Sequence, residues 1–276
     1  MKKKFVFTIT FLVLASTLLA EDAKVLPWMT GRISVEPVYS FAPGGYDNNM
    51  NYISYGNDSA KVFSIGFAFE YGVTDWFTAA IRSGWIPWSD MRAITGIDSN
   101  INGIQDFYLM TKFQIIGDRA PIKLSRLRFA ITPLVVIPLS ESPDMSTESL
   151  ATGARVFFDI VPNYYISINF FGEGIFYPAN MPNYDMSFAL EPVLTLPMSR
   201  GIDLSIGLPA KYEYFYEYPA YTMSLGPNLS IFFFTLTVPL ELTLQYNLPL
   251  LGSQSPATQS ASLLVKVYFG STSGAF

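Results

Sequence analysis

An alternation of period two recurs along almost the whole chain after residue 30, and no other feature of the sequence restricts its fold so strongly. From Phe63 to Tyr71 the odd positions are Phe63, Ile65, Phe67, Phe69 and Tyr71, while the even ones are Ser64, Gly66, Ala68 and Glu70. Successive side chains of a strand point to opposite faces, so this stretch reads as a strand with one apolar face and one small or polar face. After Gly72-Val73-Thr74-Asp75 the chain returns with Phe77, Ala79, Ile81 and Trp85 set against Thr78, Ala80, Arg82 and Gly84. A soluble sandwich can contain such a hairpin, so the fold is decided by how often the pattern returns.

It returns in twelve segments. The others begin near Gly31, Ile101, Arg126, Leu150, Tyr164, Tyr184, Ile202, Tyr221, Leu236 and Ser262. Each runs for roughly nine to fifteen residues, close to what a tilted strand needs to cross a bilayer. The connections after the second, sixth, eighth and tenth segments are tight (72–75, 161–163, 198–201, 232–235), and the one after the fourth is moderate. Those after odd segments are mostly longer and polar, as in residues 43–59 (PGGYDNNMNYISYGNDS). Short turns at one end, long loops at the other and an even strand count predict an all-β, antiparallel transmembrane β-barrel of about 12 strands.

Charge placement is the sharper test. Arg32, Glu36, Glu70, Arg82, Asp106, Lys112, Arg126, Arg128, Arg155, Asp159, Glu173, Glu191, Asp203, Lys211, Glu213, Glu241 and Lys266 all fall opposite the apolar face. Tyr39, Trp85, Tyr212, Tyr214, Tyr221 and Tyr246 gather toward the long-loop end, as an interfacial girdle would. Glu70, Arg82, Asp106, Lys112, Arg126, Arg128, Arg155, Glu173, Glu191 and Glu241 are therefore the candidate lumen-lining residues. The inward set is nearly balanced, eight basic against nine acidic. One reading pairs these charges to brace the wall. The other makes Arg82, Lys112, Arg126, Arg128 and Arg155 a path for an anion or a carboxylate head group.

Pro192, Pro209, Pro227 and Pro239 sit inside four consecutive predicted strands. Proline cannot donate to a sheet ladder and a closed barrel has no edge to hide it on, so bulges or kinks are expected along this wall. They mark plain curvature or a weakened wall through which an apolar ligand leaves sideways.

The start of the chain places Lys2-Lys3-Lys4 before an apolar run from Phe5 to Leu19 and a small residue, Ala20. These are the parts of a secretory signal peptide, so residues 1–20 are expected to be cleaved. Residues 21–30 then form a periplasmic lead-in too small to be a plug, and 31–276 form the barrel. The sequence has no Cys and no His, which removes disulfides, Cys or His metal sites and Ser-His or Cys-His catalysis. A carboxylate dyad or a Ser-Lys pair survives in principle, yet the reading is that the chain is not an enzyme and carries no cofactor. A net charge of −5 argues against nucleic acid as a partner.

Tyr71-Gly72-Val73-Thr74-Asp75, followed by Gly103-Ile104-Gln105-Asp106-Phe107 and Lys112-Phe113, resembles the outer-membrane barrels of the MetA-pathway phenol-degradation family. That family is regarded as akin to long-chain fatty-acid transporters. The likeness covers residues 60–140 and departs at Gln105, where the family tends to have Gly, and at Ile137-Pro138-Leu139-Ser140. It implies an integral bacterial outer-membrane channel or transporter for passive uptake of a small or hydrophobic solute. A non-conducting structural or adhesive barrel acting through its loops is the alternative. The expected partners are outer-membrane lipid and the barrel-assembly machinery, which would read Phe269 or Phe276 as the terminal aromatic.

Overall fold

The structure is a computed structural model that describes residues 22–56, 58–95, 102–139, 150–178, 183–216 and 220–270. The expected signal peptide and Phe276 lie outside the described residues. Twelve strands build the wall: β1 (Thr30–Ala42), β2 (Ala60–Thr74), β3 (Phe77–Asp90), β4 (Phe107–Ile116), β5 (Leu127–Ile137) and β6 (Ala151–Asn163) come first. They are followed by β7 (Ile166–Tyr177), β8 (Asn183–Ser199), β9 in two pieces (Ile202–Gly207 and Ala210–Phe215), β10 in two pieces (Ala220–Leu225 and Asn228–Phe233), β11 (Leu240–Ser253) and β12 (Gln259–Gly270). Each pairs antiparallel with its chain neighbours. β1 also pairs with β12 from Thr30↔Gly270 to Phe41↔Gln259, so the sheet closes and has no free edge.

Leu244 is 58% exposed, whereas Lys211 is 2% exposed. The same inversion recurs around the wall. Ile33, Phe67, Leu109, Val156, Phe170, Leu194 and Ile206 look outward, while Arg155, Glu173, Glu213 and Lys266 are buried inside. An aqueous fold would reverse this; a hydrocarbon-facing barrel requires it.

The two ends differ as the alternation predicts. At one end β2–β3, β6–β7 and β8–β9 are joined by two residues each, 75–76, 164–165 and 200–201. The sixth turn falls beyond the expected 161–163, because the Asn163 side chain accepts the Tyr165 and Ile166 amides at 2.9 and 3.0 Å and fixes the turn after itself. Residue 22 and the end of β12 also lie toward this short-turn end. At the other end, the polar loop 43–59 is partly ordered as strand. Gly44–Tyr46 pairs with Tyr52–Ser54 and with Ser255–Pro256. The Asp47 carboxylate accepts the Asn49 and Asn51 amides, both at 2.8 Å, and closes the turn. Beneath it Ala42, Ala60, Val62, Ile86 and Met91 form a buried apolar cluster against Tyr55. The one-turn helix α1 (Arg92–Thr95) follows β3.

β4 starts later than expected, at Phe107. Ahead of it, Gly103 and Ile104 pair briefly with Ile86 and Trp85. The chain then crosses Gly84, where the Gln105 amide donates to the Gly84 carbonyl at 2.8 Å. The Gln105 side-chain oxygen occupies the space a β-carbon on Gly84 would need. Gln105, which the alternation assigns to the lipid face, therefore packs on the lumen side.

Candidate functional site: the barrel lumen

The short-turn end of the lumen is occupied by the chain's own Asp22–Met29 segment. The Ala23 amide donates to Asp159 Oδ2 at 2.9 Å, and its carbonyl accepts from Gln114 Nε2 at 3.1 Å. Lys112 Nζ donates to the Asp22 carbonyl. Farther along, the Leu26 amide donates to Thr78 Oγ1 at 2.9 Å and the Met29 amide to the Gly72 carbonyl at 3.0 Å. Ala23 is fully buried among Ala130, Phe157 and Phe171. The expected lead-in is therefore seated against the inner wall. The segment is short, but its backbone finds partners on β2, β3, β4 and β6, and only convergence of those strands reveals them.

The candidate lumen residues divide into separate groups. Arg32 of β1 pairs with Glu70 of β2, and its guanidinium lies 5.8 Å from the centre of the Tyr268 ring. The Tyr268 hydroxyl donates to Glu241 at 2.7 Å, and Lys266 pairs with the same carboxylate at 2.8 Å. A network thus links β2, β1, β12 and β11. On the opposite wall Arg155 and Glu173 form a buried pair across β6 and β7. Asp106, also buried, accepts the Leu139 amide at 3.1 Å and so ties the start of β4 to the end of β5. Glu191 accepts from Asn228 Nδ2 at 2.6 Å, beside the bare backbone of Gly207.

The five basic residues do not make one path. Lys112 holds Asp22 and stands 4.1 Å over the Phe157 ring. Arg128 pairs with Asp118 at 3.6 Å, Arg155 is taken by Glu173, and Arg82 stands opposite Tyr108 in the β3–β4 ladder. Arg126 lies one residue ahead of β5 and is exposed. This geometry fits the reading in which charges brace the wall.

Sequence reading missed an apolar cluster packed on the inner wall. Met110, Leu134, Val136, Ala151 and Ile175, on β4 to β7, form one buried cluster with Ala80, Tyr108 and Tyr177 packed against it. The run Leu134-Val135-Val136-Ile137 is apolar on both faces, and that loss of alternation was the available signal.

The prolines also have a definite arrangement. Pro209 and Pro227 fall in the gaps of β9 and β10, Pro192 lies within β8, and Pro239 immediately precedes β11. Each carbonyl accepts from the next strand: Leu208 to Pro192 at 3.2 Å, Gly226 to Pro209 at 2.8 Å, Tyr246 to Pro227 at 3.1 Å and Tyr268 to Pro239 at 3.0 Å. The pairings Val193↔Gly207 and Leu190↔Ala210 keep one register across the first gap, as do Gly207↔Asn228 and Ala210↔Leu225 across the second. No register shift falls at these gaps, but two lie close by on the same wall, between Met223 and Ser224 in the β10–β11 pairing and between Pro197 and Ser199 of β8. Pro192, Pro209 and Pro227 form a diagonal row that loses donors and keeps acceptors. Pro239 stands apart, near the short-turn end.

A closed twelve-stranded antiparallel barrel with an apolar exterior and charges inside is an outer-membrane β-barrel fold. The chain matches no protein-family profile and no curated protein sequence. Among solved structures it is similar to the COG4313 outer membrane channel from Pseudomonas putida F1, with a TM-score of 0.68 and 14% identity over 90% of this chain and 98% of that one. The NanC porin aligns at a TM-score of 0.49 and 10% identity, covering 86% and 98% of the two chains. A Pseudomonas aeruginosa FadL homologue aligns at 0.39 and 9%, covering 88% and 90%. At these identities the likeness concerns the fold.

Proposed function

We propose that this protein is an integral outer-membrane channel for passive uptake of a small or apolar solute. The observation that carries the reading is the closed twelve-stranded wall, apolar outside and charged inside. The apolar cluster of Met110, Leu134, Val136, Ala151 and Ile175 is buried packing that braces this wall from within. The Asp22–Met29 segment then limits ion flow at the periplasmic end, and the proline row is the candidate for a wall that yields sideways. The similarity in fold to an outer-membrane channel agrees with this reading.

The test is conductance of the refolded chain in a planar bilayer, with and without residues 22–29, in a salt gradient. The full chain should give small steps and the shortened one several-fold larger steps. Silence from both, in protein shown to be folded, would remove the aqueous path. The adhesive alternative draws on Met50, Tyr52 and Ile53, which are exposed on the loop sheet. Salt-sensitive binding to a host surface without solute uptake would favour it.

A further inference from the structure

The connection between β4 and β5 is the longest at the short-turn end, and it ends in a basic and apolar stretch, Pro121-Ile122-Lys123-Leu124-Ser125-Arg126. It is tied to the wall. The Ile122 amide donates to the Ile115 carbonyl at 3.2 Å and the Gly117 amide to the Ile122 carbonyl at 3.0 Å, so Ile122 bridges Ile116 in parallel. Bridged residues share a face of the sheet. A register shift between Gln114 and Ile116 sets Ile116 opposite Phe129, which faces outward because its neighbour Ala130 is buried with Ala23 in the lumen. Ile122 therefore extends the outer apolar wall beyond the end of β4, and it is 50% exposed there. Leu124, two residues on, is 45% exposed.

Aromatic residues on both sides set the level of this turn. The Trp76 carbonyl accepts the Gln114 amide at 2.9 Å on the β3 side, and the Arg126 carbonyl accepts the Val161 amide at 2.8 Å on the other, close to the exposed Tyr164 and Tyr165. Tryptophan and tyrosine gather where hydrocarbon meets head groups, so the turn lies at that boundary. Its charge is one-sided. Asp118, the one acidic residue between β4 and β5, pairs with Arg128 at 3.6 Å, whereas Arg119, Lys123 and Arg126 all belong to the turn and the last two are exposed. Nearby carboxylates are engaged elsewhere: Asp75 accepts the Trp28 amide at 3.1 Å, Asp203 accepts the Tyr164 hydroxyl, and Asp22 pairs with Lys24 at 3.7 Å. We infer that this turn binds the head group of an anionic phospholipid in the periplasmic leaflet. Ile122 and Leu124 enter the acyl layer, and Lys123 and Arg126 reach the phosphate from apolar stems. The inference rests on insertion of the barrel in a membrane and not on its conducting.

The probes are brominated phosphatidylglycerol and brominated phosphatidylcholine, each at the same mole fraction in phosphatidylcholine vesicles holding the refolded chain. Quenching of tryptophan fluorescence is read, since Trp28 and Trp76 stand at this end. Phosphatidylglycerol should quench more than its zwitterionic counterpart, and high salt should reduce the excess. Lys123→Gln with Arg126→Gln should weaken the preference by about ten-fold or more, a basic side chain near an anionic surface being good for about five-fold. Lys123→Arg with Arg126→Lys should keep it. Equal quenching by the two lipids in the parent would overturn the site and leave an acidic periplasmic protein as the occupant of the turn. An excess that survives the double Gln variant would also overturn it, placing the lipid at another cation. Conductance plays no part in the readout, so a silent barrel that passes this test would keep the site and lose the channel reading.

Discussion

Gly72 and Pro27 pass so closely that any β-carbon on Gly72 would overlap the Pro27 carbonyl oxygen. The same β-carbon would also reach the Leu26 carbonyl. The bare backbone of β2 at this point lets the N-terminal segment bend into the barrel. Gly72→Val should therefore expel the segment and leave the twelve-strand wall in place. Expected outcomes are a several-fold rise in ion conductance and an almost unchanged barrel by circular dichroism; a variant that still conducts like the parent would break the link between Gly72 and closure.

Acid should open the same end, but late. Burial pushes the Asp22 carboxyl up, yet Lys24, Lys112, Arg128 and Lys266 together outweigh it and hold the group below the usual carboxylate range. A depressed pKa means that the docked state favours the charged form. Its contribution is complete above the ordinary value of 3.8 and is lost as pH falls through the depressed one. Conductance should stay level from neutrality to about pH 4 and rise below it. Asp22→Asn should flatten that rise, and a conductance step centred near neutrality would point to another group.

The Arg155–Glu173 pair is buried on both sides, so removing one partner strands the other. Glu173→Gln or Arg155→Met should cost about 3–5 kcal/mol in urea unfolding from vesicles, whereas the double apolar replacement should cost less. Equal losses from the single and double variants would show that the two side chains do not depend on each other.

The proline row can be separated from the rest of the wall. Pro209→Thr and Pro227→Thr each restore a backbone donor within the register the gaps already keep. If apolar ligands leave sideways here, uptake of a hydrophobic probe should slow while ion conductance holds. Undiminished uptake would leave the row as curvature alone.

Leu244 and Thr243 are neighbours on opposite faces. Leu244→Arg places a charge against hydrocarbon and should destabilise the inserted barrel by about 2–4 kcal/mol at the midplane, less near an interface. Thr243→Arg, on the lumen face, should change conductance more than stability. The reverse ranking in vesicle unfolding would invert the assignment of faces.

The strand rhythm was legible because alternation is a local property: each side chain's face follows from backbone geometry one residue at a time. Residues as far apart as Phe67 and Leu244 therefore fell on the correct side without any knowledge of their neighbours. Closure and the short-turn end followed from the same count. What the lumen contains was not local. Ala23 meets Asp159 across 136 residues of chain. The apolar cluster hid in a run that satisfies both faces at once, and three of the five basic residues, Lys112, Arg128 and Arg155, are each held by a separate partner. The sequence by itself determined which side of the wall every strand shows. Only the tertiary structure decided what the inner sides do to one another, because closing the barrel brings together side chains whose spacing along the chain carries no trace of their contact.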